Sequence, residues 1–260
     1  MTEETLTLAL LQKDLQHLAR EENLEGFGRM MDGLPERVGL IVLPETFNHG
    51  FITDGELRSE PHMGLSVEWM RRRAALHGAL VCGTLATEDG GKLYNRFYFA
   101  FPDGEVEWYD KLHLFSLAGE DERFTAGSER KRVTFRGWRI CPQVCYDVRF
   151  PEAARNHDGY DLLLYAASWP ASRDPNWRTL LDARAIENQC YLGGCNRVGT
   201  DAQGILYRGS SKIVAPSGKT LAELPPEQEG VVLADLSYSR LQQVREKYPF
   251  LREACWERGC

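Results

Sequence analysis

Short apolar runs alternate along this chain with stretches in which apolar residues recur at helical spacing. Ten runs read as strands: Leu6–Leu11, Val38–Leu43, Ala79–Leu85, Asn95–Phe101, Val133–Phe135, Trp138–Cys145, Leu162–Ala166, Tyr191–Cys195, Ser211–Ala215 and Val231–Ala234. Four stretches read as helices: His17–Met31, Ser66–Leu76, Pro151–Asn156 and Asp174 to about Glu187. The last is the best signposted, with Asp174 as N-cap and Pro175 as first helical residue ahead of Trp177, Leu180 and Leu181. Asp89-Gly90-Gly91 and Pro102-Asp103-Gly104 read as hairpin connections. The interleaving is that of an α/β protein, and ten strands exceed what a twisted open sheet usually holds before it splits in two. The pattern therefore predicts a four-layer αββα sandwich. Without a repeat, a low-complexity tract or a linker, it predicts one domain over residues 1–260.

Composition narrows function more than fold. The 260 residues are 43% hydrophobic and 27% charged, enough for a large core. The 31 Lys plus Arg against 38 Asp plus Glu give a net charge of -7, which supplies no general cationic field for a phosphate backbone or an anionic lipid surface. Neither nucleic acid nor membrane is an expected partner. The apolar runs fall far short of the ~20 residues of a transmembrane helix. Glu3 and Glu4 precede the first apolar stretch and no small-residue cleavage site follows, so a cytoplasmic protein is expected. Seven cysteines without tight pairing read as reduced thiols. A metal site on Cys141 and Cys145 lacks a second ligand pair, and none is expected.

The most informative segment is Trp138 to Arg155, WRICPQVCYDVRFPEAAR, which places Cys145 where a strand ends in a tight turn. Such turns are where α/β folds expose reactive groups, although free cysteine is also among the most buried residue types. A cysteine nucleophile needs a base and a group to hold the oxyanion. Histidine is the usual base, and His17, His49, His62, His77, His113 and His157 are available without a local signature that selects one. Two other segments compete better. In GLIVLPETFNHGF a continuous apolar strand delivers Glu45 at its carboxyl end, and in EWYDKLHLF Lys111 follows Trp108 and Tyr109 into apolar surroundings. Taken singly, Glu45 reads as a solvated loop residue and Lys111 as a surface lysine.

Together, LPETF, YDKLHLF and VCYDVRFPE stand in the order and approximate spacing of the Glu, Lys and Cys segments of the nitrilase superfamily, and the chain resembles a carbon-nitrogen hydrolase of that family. The resemblance covers nearly the whole length, including Glu120 within AGEDERFTAG, ARAIEN from Ala183 to Asn188, and CNRVG from Cys195 to Gly199. It implies the αββα fold, Cys145 as nucleophile, Glu45 as general base and Lys111 as cationic oxyanion partner beside the backbone N–H of Tyr146. It further implies Glu120 as a supporting carboxylate, no metal or organic cofactor, and a homodimer that could use the tail from Tyr248 to Cys260. The wider phrases PETFNHGF, YDKLHLF and CYDVRFPE are most similar to the ω-amidase branch, which hydrolyses the terminal amide of 2-oxo dicarboxylate monoamides such as 2-oxoglutaramate through a thioester.

Other readings stay open at this level. An N-carbamoyl amide hydrolase or a nitrilase would use the same three residues, a non-catalytic binding protein could retain the fold, and a Cys-His protease would rely on His113 or His49. For an ω-amidase, the substrate carboxylate must meet a local cation or backbone N–H groups. Arg149, Arg173 and Arg197 follow the strand ends nearest the proposed site, while Phe47, Phe115, Tyr146 and Trp169 are candidate pocket walls.

Overall fold

In a computed structural model, described for residues 2–52 and 57–253, two mixed sheets carry the chain. The first runs in the order β15 (Gly230–Ser237), β1 (Thr5–Gln12), β2 (Val38–Val42), β4 (Leu80–Asp89), β5 (Lys92–Ala100) and β6 (Val106–Asp110), with β3 (Glu60–Pro61) also paired to β4. The second runs β14 (Thr220–Glu223), β13 (Lys212–Val214), β10 (Tyr191–Asn196), β9 (Leu162–Ala167), β8 (Trp138–Val144) and β7 (Val133–Phe135). Each has a parallel centre, β1-β2-β4 in one and β8-β9-β10 in the other, flanked by antiparallel strands. A separate hairpin joins β11 (Val198–Thr200) to β12 (Leu206–Arg208).

All ten expected strands are present. Parallel strands buried on both faces give continuous apolar runs, which is why β2 and β9 were legible. Gly90 and Gly91, both at positive φ, form the two-residue turn between β4 and β5, a conformation that glycine adopts without steric cost. The sheets pack face to face through Leu6, Leu8, Leu10, Leu40 and Val42 on one side and Leu162, Leu164 and Leu192 on the other. They come so close at Gly193 that an added Cβ would lie 2.9 Å from Leu8 Cδ2.

Helices close both outer faces. Phe27 and Met31 of α1 (Arg20–Asp32) and Val67, Met70 and Ala74 of α2 (Leu65–His77) pack on Ile41, Val81 and Tyr98 of the first sheet. Beyond the second sheet, Trp177, Leu181 and Ala185 of α5 (Asp174–Glu187) join the core. The layers are therefore α, β, β and α, as expected. The start of α5 differs by one position: Arg173 is the N-cap and Asp174 the first helical residue. Three shorter helices and one of ten residues complete the described chain: α3 (Glu120–Arg123), α4 (Pro151–Ala154), α6 (Tyr238–Lys247) and α7 (Phe250–Glu253). Helix α4 ends two residues early because Arg155 leaves helical geometry at ψ 128. Of the tail expected at a dimer contact, residues 254–260 lie outside the described residues. No helix of the described residues is long and apolar enough to cross a membrane.

Candidate active site

The carboxyl ends of parallel strands are where open α/β sheets bind ligands, and here both sheets bring those ends to one place. Glu45 follows β2, Cys145 follows β8 and Ser168 follows β9. The two sheets are tied there directly: the Ser168 N–H donates to Glu45 Oε2 at 2.8 Å, and the Glu45 N–H donates to the Ala167 carbonyl at 3.4 Å. Lys111 continues the ladder beyond β6, its N–H donating to the Asn95 carbonyl at 3.0 Å.

The backbone turns through left-handed conformations on both sides of the site. Cys145 has φ +43° and Thr46, next to Glu45, has φ +44°. Each is a conformation that costs a non-glycine residue ~1–2 kcal/mol and needs surrounding bonds to hold it. For Cys145 those bonds come from Asp147, in the same 3-10 turn (Cys145–Arg149). Its carboxylate is fully buried and accepts from the Val144 N–H (2.9 Å), the Tyr109 hydroxyl (2.9 Å) and the His113 N–H (2.9 Å), with His113 Nδ1 at 2.8 Å. For Thr46, the Thr84 hydroxyl takes its N–H at 2.8 Å, and its carbonyl accepts from His49 and Gly50.

Three charges meet beneath the sulfur. Lys111 Nζ donates to Glu45 Oε1 at 3.0 Å and to both oxygens of Glu120 at 3.0 and 2.8 Å. Burial pulls the Lys111 ammonium toward deprotonation, but Glu120 and Glu45 outweigh it and hold the charge well above the ordinary lysine range. Glu120 is itself pushed up by burial, against the opposing pull of Lys111. It also accepts the Phe115 N–H at 2.6 Å, which fixes the loop leading into α3. The apolar surroundings expected of Lys111 are thus only part of its setting: the Phe51 ring lies 5.5 Å from Nζ, whereas Trp108 is 40% exposed.

Cys145 is 9% exposed, at the floor of a cleft. Burial pushes its thiol well above the ordinary cysteine range, Glu45 pushes it further, and the opposing pull of Lys111 does not compensate. Burial thus favours a neutral thiol beside Glu45 over a thiolate–ammonium pair, the ammonium being shared between two carboxylates. The absorbance difference at 240 nm between the parent and Cys145→Ala should accordingly be absent at pH 7 and emerge only at strongly alkaline pH. A thiolate band at pH 7 would show that Lys111 stabilises the anion at rest.

The cleft wall includes Phe51, Phe115, Tyr146, Arg149, Trp169, Arg173 and the β11–β12 turn from Asp201 to Tyr207. Arg149 lies 4.9 Å from the Trp169 ring centre, and Arg173 lies 5.0 Å from Phe115 and 5.9 Å from Trp169. Neither guanidinium has an acidic partner among the described residues. Asp201, in the same wall, is turned to its own loop, accepting from the Tyr207 hydroxyl and the Gln203 and Ile205 N–H groups.

Two expectations need correction. Arg197 is outside the cleft lining and is 2% exposed, its guanidinium bound to Asp14 Oδ1 and the Leu15 carbonyl, both at 3.1 Å. It is a buried structural ion pair stacked on Tyr207. Phe47 is no pocket wall either: it is fully buried between Phe27 and Trp69, under α1 and α2. The histidines expected of a Cys-His protease are also elsewhere. The polar groups acting on the Cys145 thiol are Glu45, Lys111 and the Ser168 backbone. His113 instead holds Asp147 and stacks on Phe150, and His49 faces Glu60 and Arg20. Sequence reasoning missed Asn95, Ser168, Phe51 and the Asp201–Tyr207 turn. Asn95 had no visible signal, since an asparagine inside an apolar strand reads as a defect, whereas SWP directly after a strand could have pointed to Ser168.

Comparison with known proteins identifies the family. The carbon-nitrogen hydrolase family model matches residues 7–246. The chain is 43% identical over 249 residues to the omega-amidase YafV of Escherichia coli (strain K12), covering 96% of each chain. It is 34% identical over 250 residues to the 2-oxoglutaramate amidase of Bacillus subtilis (strain 168), covering 94% of this chain and 95% of that one. Among solved structures, a CN-hydrolase superfamily protein from Xanthomonas campestris, with an arsenic adduct in its active site, superposes with a TM-score of 0.94 at 37% identity, covering 97% of this chain and 98% of that one.

Proposed function

Because the chain belongs to the carbon-nitrogen hydrolase family, we propose that it is an ω-amidase, releasing ammonia from the terminal amide of a small 2-oxo dicarboxylate monoamide such as 2-oxoglutaramate. The observation that carries this reading is the placement of a buried thiol beside Glu45 and Lys111 at the floor of a cleft whose wall holds two arginines without acidic partners among the described residues.

Each step follows from the hydrogen bonds at rest. The Cys145 sulfur attacks the amide carbon while its proton passes to Glu45, whose Oε2 shares the Ser168 N–H with the sulfur. The carbonyl π bond opens to an oxyanion that lies between Lys111 Nζ and the Tyr146 N–H. In the first turn of a 3-10 segment, that N–H has no carbonyl behind it with which to pair. Glu45 returns the proton to the nitrogen as the C–N bond breaks, giving ammonia and a thioester. Water then attacks the thioester carbon, Glu45 takes its proton, and collapse of the second oxyanion expels the sulfur, which is reprotonated. Net charge in the pocket is unchanged at every step, because proton transfer to Glu45 offsets each oxyanion. Glu120 holds Lys111 in place throughout.

The test is ammonia release from 2-oxoglutaramate, glutamine, asparagine, N-carbamoyl amino acids and a simple nitrile. The reading predicts that 2-oxoglutaramate has by far the highest kcat/KM, with no carbon dioxide released. Preference for a carbamoyl compound or a nitrile would transfer the same three residues to the alternative family activities.

Specificity should reside in the arginines. A carboxylate taken from water into a cleft needs a charge-assisted pair, and losing one at a buried site costs ~2–5 kcal/mol, about 30- to several thousand-fold in kcat/KM. Arg149→Gln or Arg173→Gln is therefore expected to reduce hydrolysis of 2-oxoglutaramate by at least about 30-fold while sparing a neutral amide of equal length. If both variants treat the two substrates as the parent does, the carboxylate is bound elsewhere.

The reading extends to a homodimer in the cytoplasm. Tyr248 (45%) and Phe250 (56%) leave adjacent apolar surface exposed near the end of α5, and the five described cysteines are all unpaired. Sedimentation equilibrium would show a species of twice the chain mass.

A further inference from the structure

Asn95 sits fully buried on β5, outside the cleft lining, and touches Glu45, Lys111 and Glu120 alike. Its carbonyl holds the Lys111 N–H, and both protons of its amide are committed to carboxylates: Nδ2 donates to Glu45 Oε1 at 2.8 Å and to Glu120 Oε1 at 2.9 Å. Its Oδ1 has no partner among the described residues. A buried acceptor left unpaired is costly, so the amide is oriented for its donors at the expense of its acceptor.

The two oxygens of Glu45 have different duties. Oε2 takes the N–H of Ser168, whose backbone also acts on the Cys145 thiol, while Oε1 takes Lys111 and Asn95. Lys111 is also the cation that the oxyanion needs. As Nζ turns toward the developing charge it weakens its bond to Oε1, at the moment when the carboxylate must stay aimed at the thiol. The groups facing Glu45 are Lys111 beyond β6, Glu120 of α3, Cys145 of the 3-10 turn and Asn95 of β5, and the thiol in turn acts on Tyr207 of β12. Two carboxylates share one ammonium in that set, and Asn95 is the neutral donor common to both.

We propose that Asn95 is a positioning residue for the hydrolysis: it holds Glu45 aimed at Cys145 while Lys111 serves the oxyanion. This rests on Glu45 being the base. A hydrogen bond to the charged form of an acid favours that form, so losing the bond disfavours it. Asn95 likewise draws Glu120 down against its burial. An aspartate at this place would keep the shape but donate only while protonated, adding a third negative charge once ionised.

The experiment measures kcat and KM for 2-oxoglutaramate from pH 5 to 9 in the parent, Asn95→Leu, Asn95→Asp and Glu45→Gln, together with the pH dependence of iodoacetamide labelling at Cys145. In Asn95→Leu, kcat at pH 7 should fall about 10- to 100-fold, the loss of one charge-assisted bond, with KM unchanged. Because Asn95 draws Glu120 down, its loss lets that carboxyl protonate sooner, and the acid limb of kcat should move to higher pH while Cys145 remains open to labelling. In Asn95→Asp, which conserves the side-chain shape, the deficit should deepen as pH rises. A deficit equal in the two variants at every pH, or an acid limb that coincides with the parent's, would overturn the proposal and leave Asn95 a packing residue. Activity retained by Glu45→Gln would instead remove its premise, so the two failures are distinguishable.

Discussion

Cys145→Ala should abolish turnover while leaving the fold intact. The change removes a sulfur that no other group replaces: the nearby oxygens of Glu45 are committed to Lys111, Asn95 and Ser168. Losing the nucleophile of a covalent mechanism leaves only oriented binding and the oxyanion donors, so kcat should fall by at least about 10⁴-fold. Alanine suits the site sterically, although φ +43° remains strained for it. The Asp147 bonds that enforce the turn are untouched, and Tm should change by only a few degrees. Cys141→Ala and Cys190→Ala are the controls. Both residues are fully enclosed and neither belongs to the cleft lining that holds Cys145, so substrate cannot reach either sulfur. Substantial turnover by Cys145→Ala, with Cys145 confirmed absent by mass, would falsify the covalent reading.

How far the molecule was legible from its sequence depended on whether each element buries an apolar stripe. Helix α5 buries Trp177, Leu181 and Ala185 and was found almost to the residue, whereas α6 buries only Leu241 among charged neighbours and left no periodic trace. Strand β6 is a sheet edge in which charged and aromatic residues mix, VEWYD, and it was missed for the same reason. Its absence hid why Lys111 points inward: the β5–β6 ladder, closed by the Asn95 carbonyl, delivers that lysine. At the site, Glu45, Lys111, Glu120 and Cys145 are brought together from segments up to 100 residues apart, with the Tyr146 N–H beside them. Only family likeness could join them in advance. The arginines divided on a point no sequence carries, namely whether an acidic partner lies within reach in space. Arg197 meets Asp14, which is 183 positions away in the chain, and is removed from the cleft by that pair.

The other large effect is expected for Glu45→Gln, and it separates a base from a spacer. The carboxylate is ringed by donors, Lys111 and Asn95 on Oε1 and the Ser168 N–H on Oε2. Glutamine can offer an acceptor to one side only, so its NH2 must face donors on the other, and a few kcal/mol of local order is lost besides the base. The thiol itself should become easier to ionise. Glu45 is one of the groups that raise Cys145, and Lys111 would face one carboxylate fewer, so the midpoint of the 240 nm transition should move to lower pH than in the parent. Activity should nevertheless not return. A thiolate formed this way can add to the carbonyl, but no group remains to protonate the departing nitrogen, and the adduct reverts to free amide because the thiolate is the better leaving group. Loss of kcat should again be at least about 10⁴-fold, with no thioester detected by mass spectrometry after mixing with 2-oxoglutaramate. Rapid accumulation of the acyl-enzyme in Glu45→Gln would mean that nitrogen is protonated by another acid, and Glu45 would then be confined to activating water in the second half-reaction.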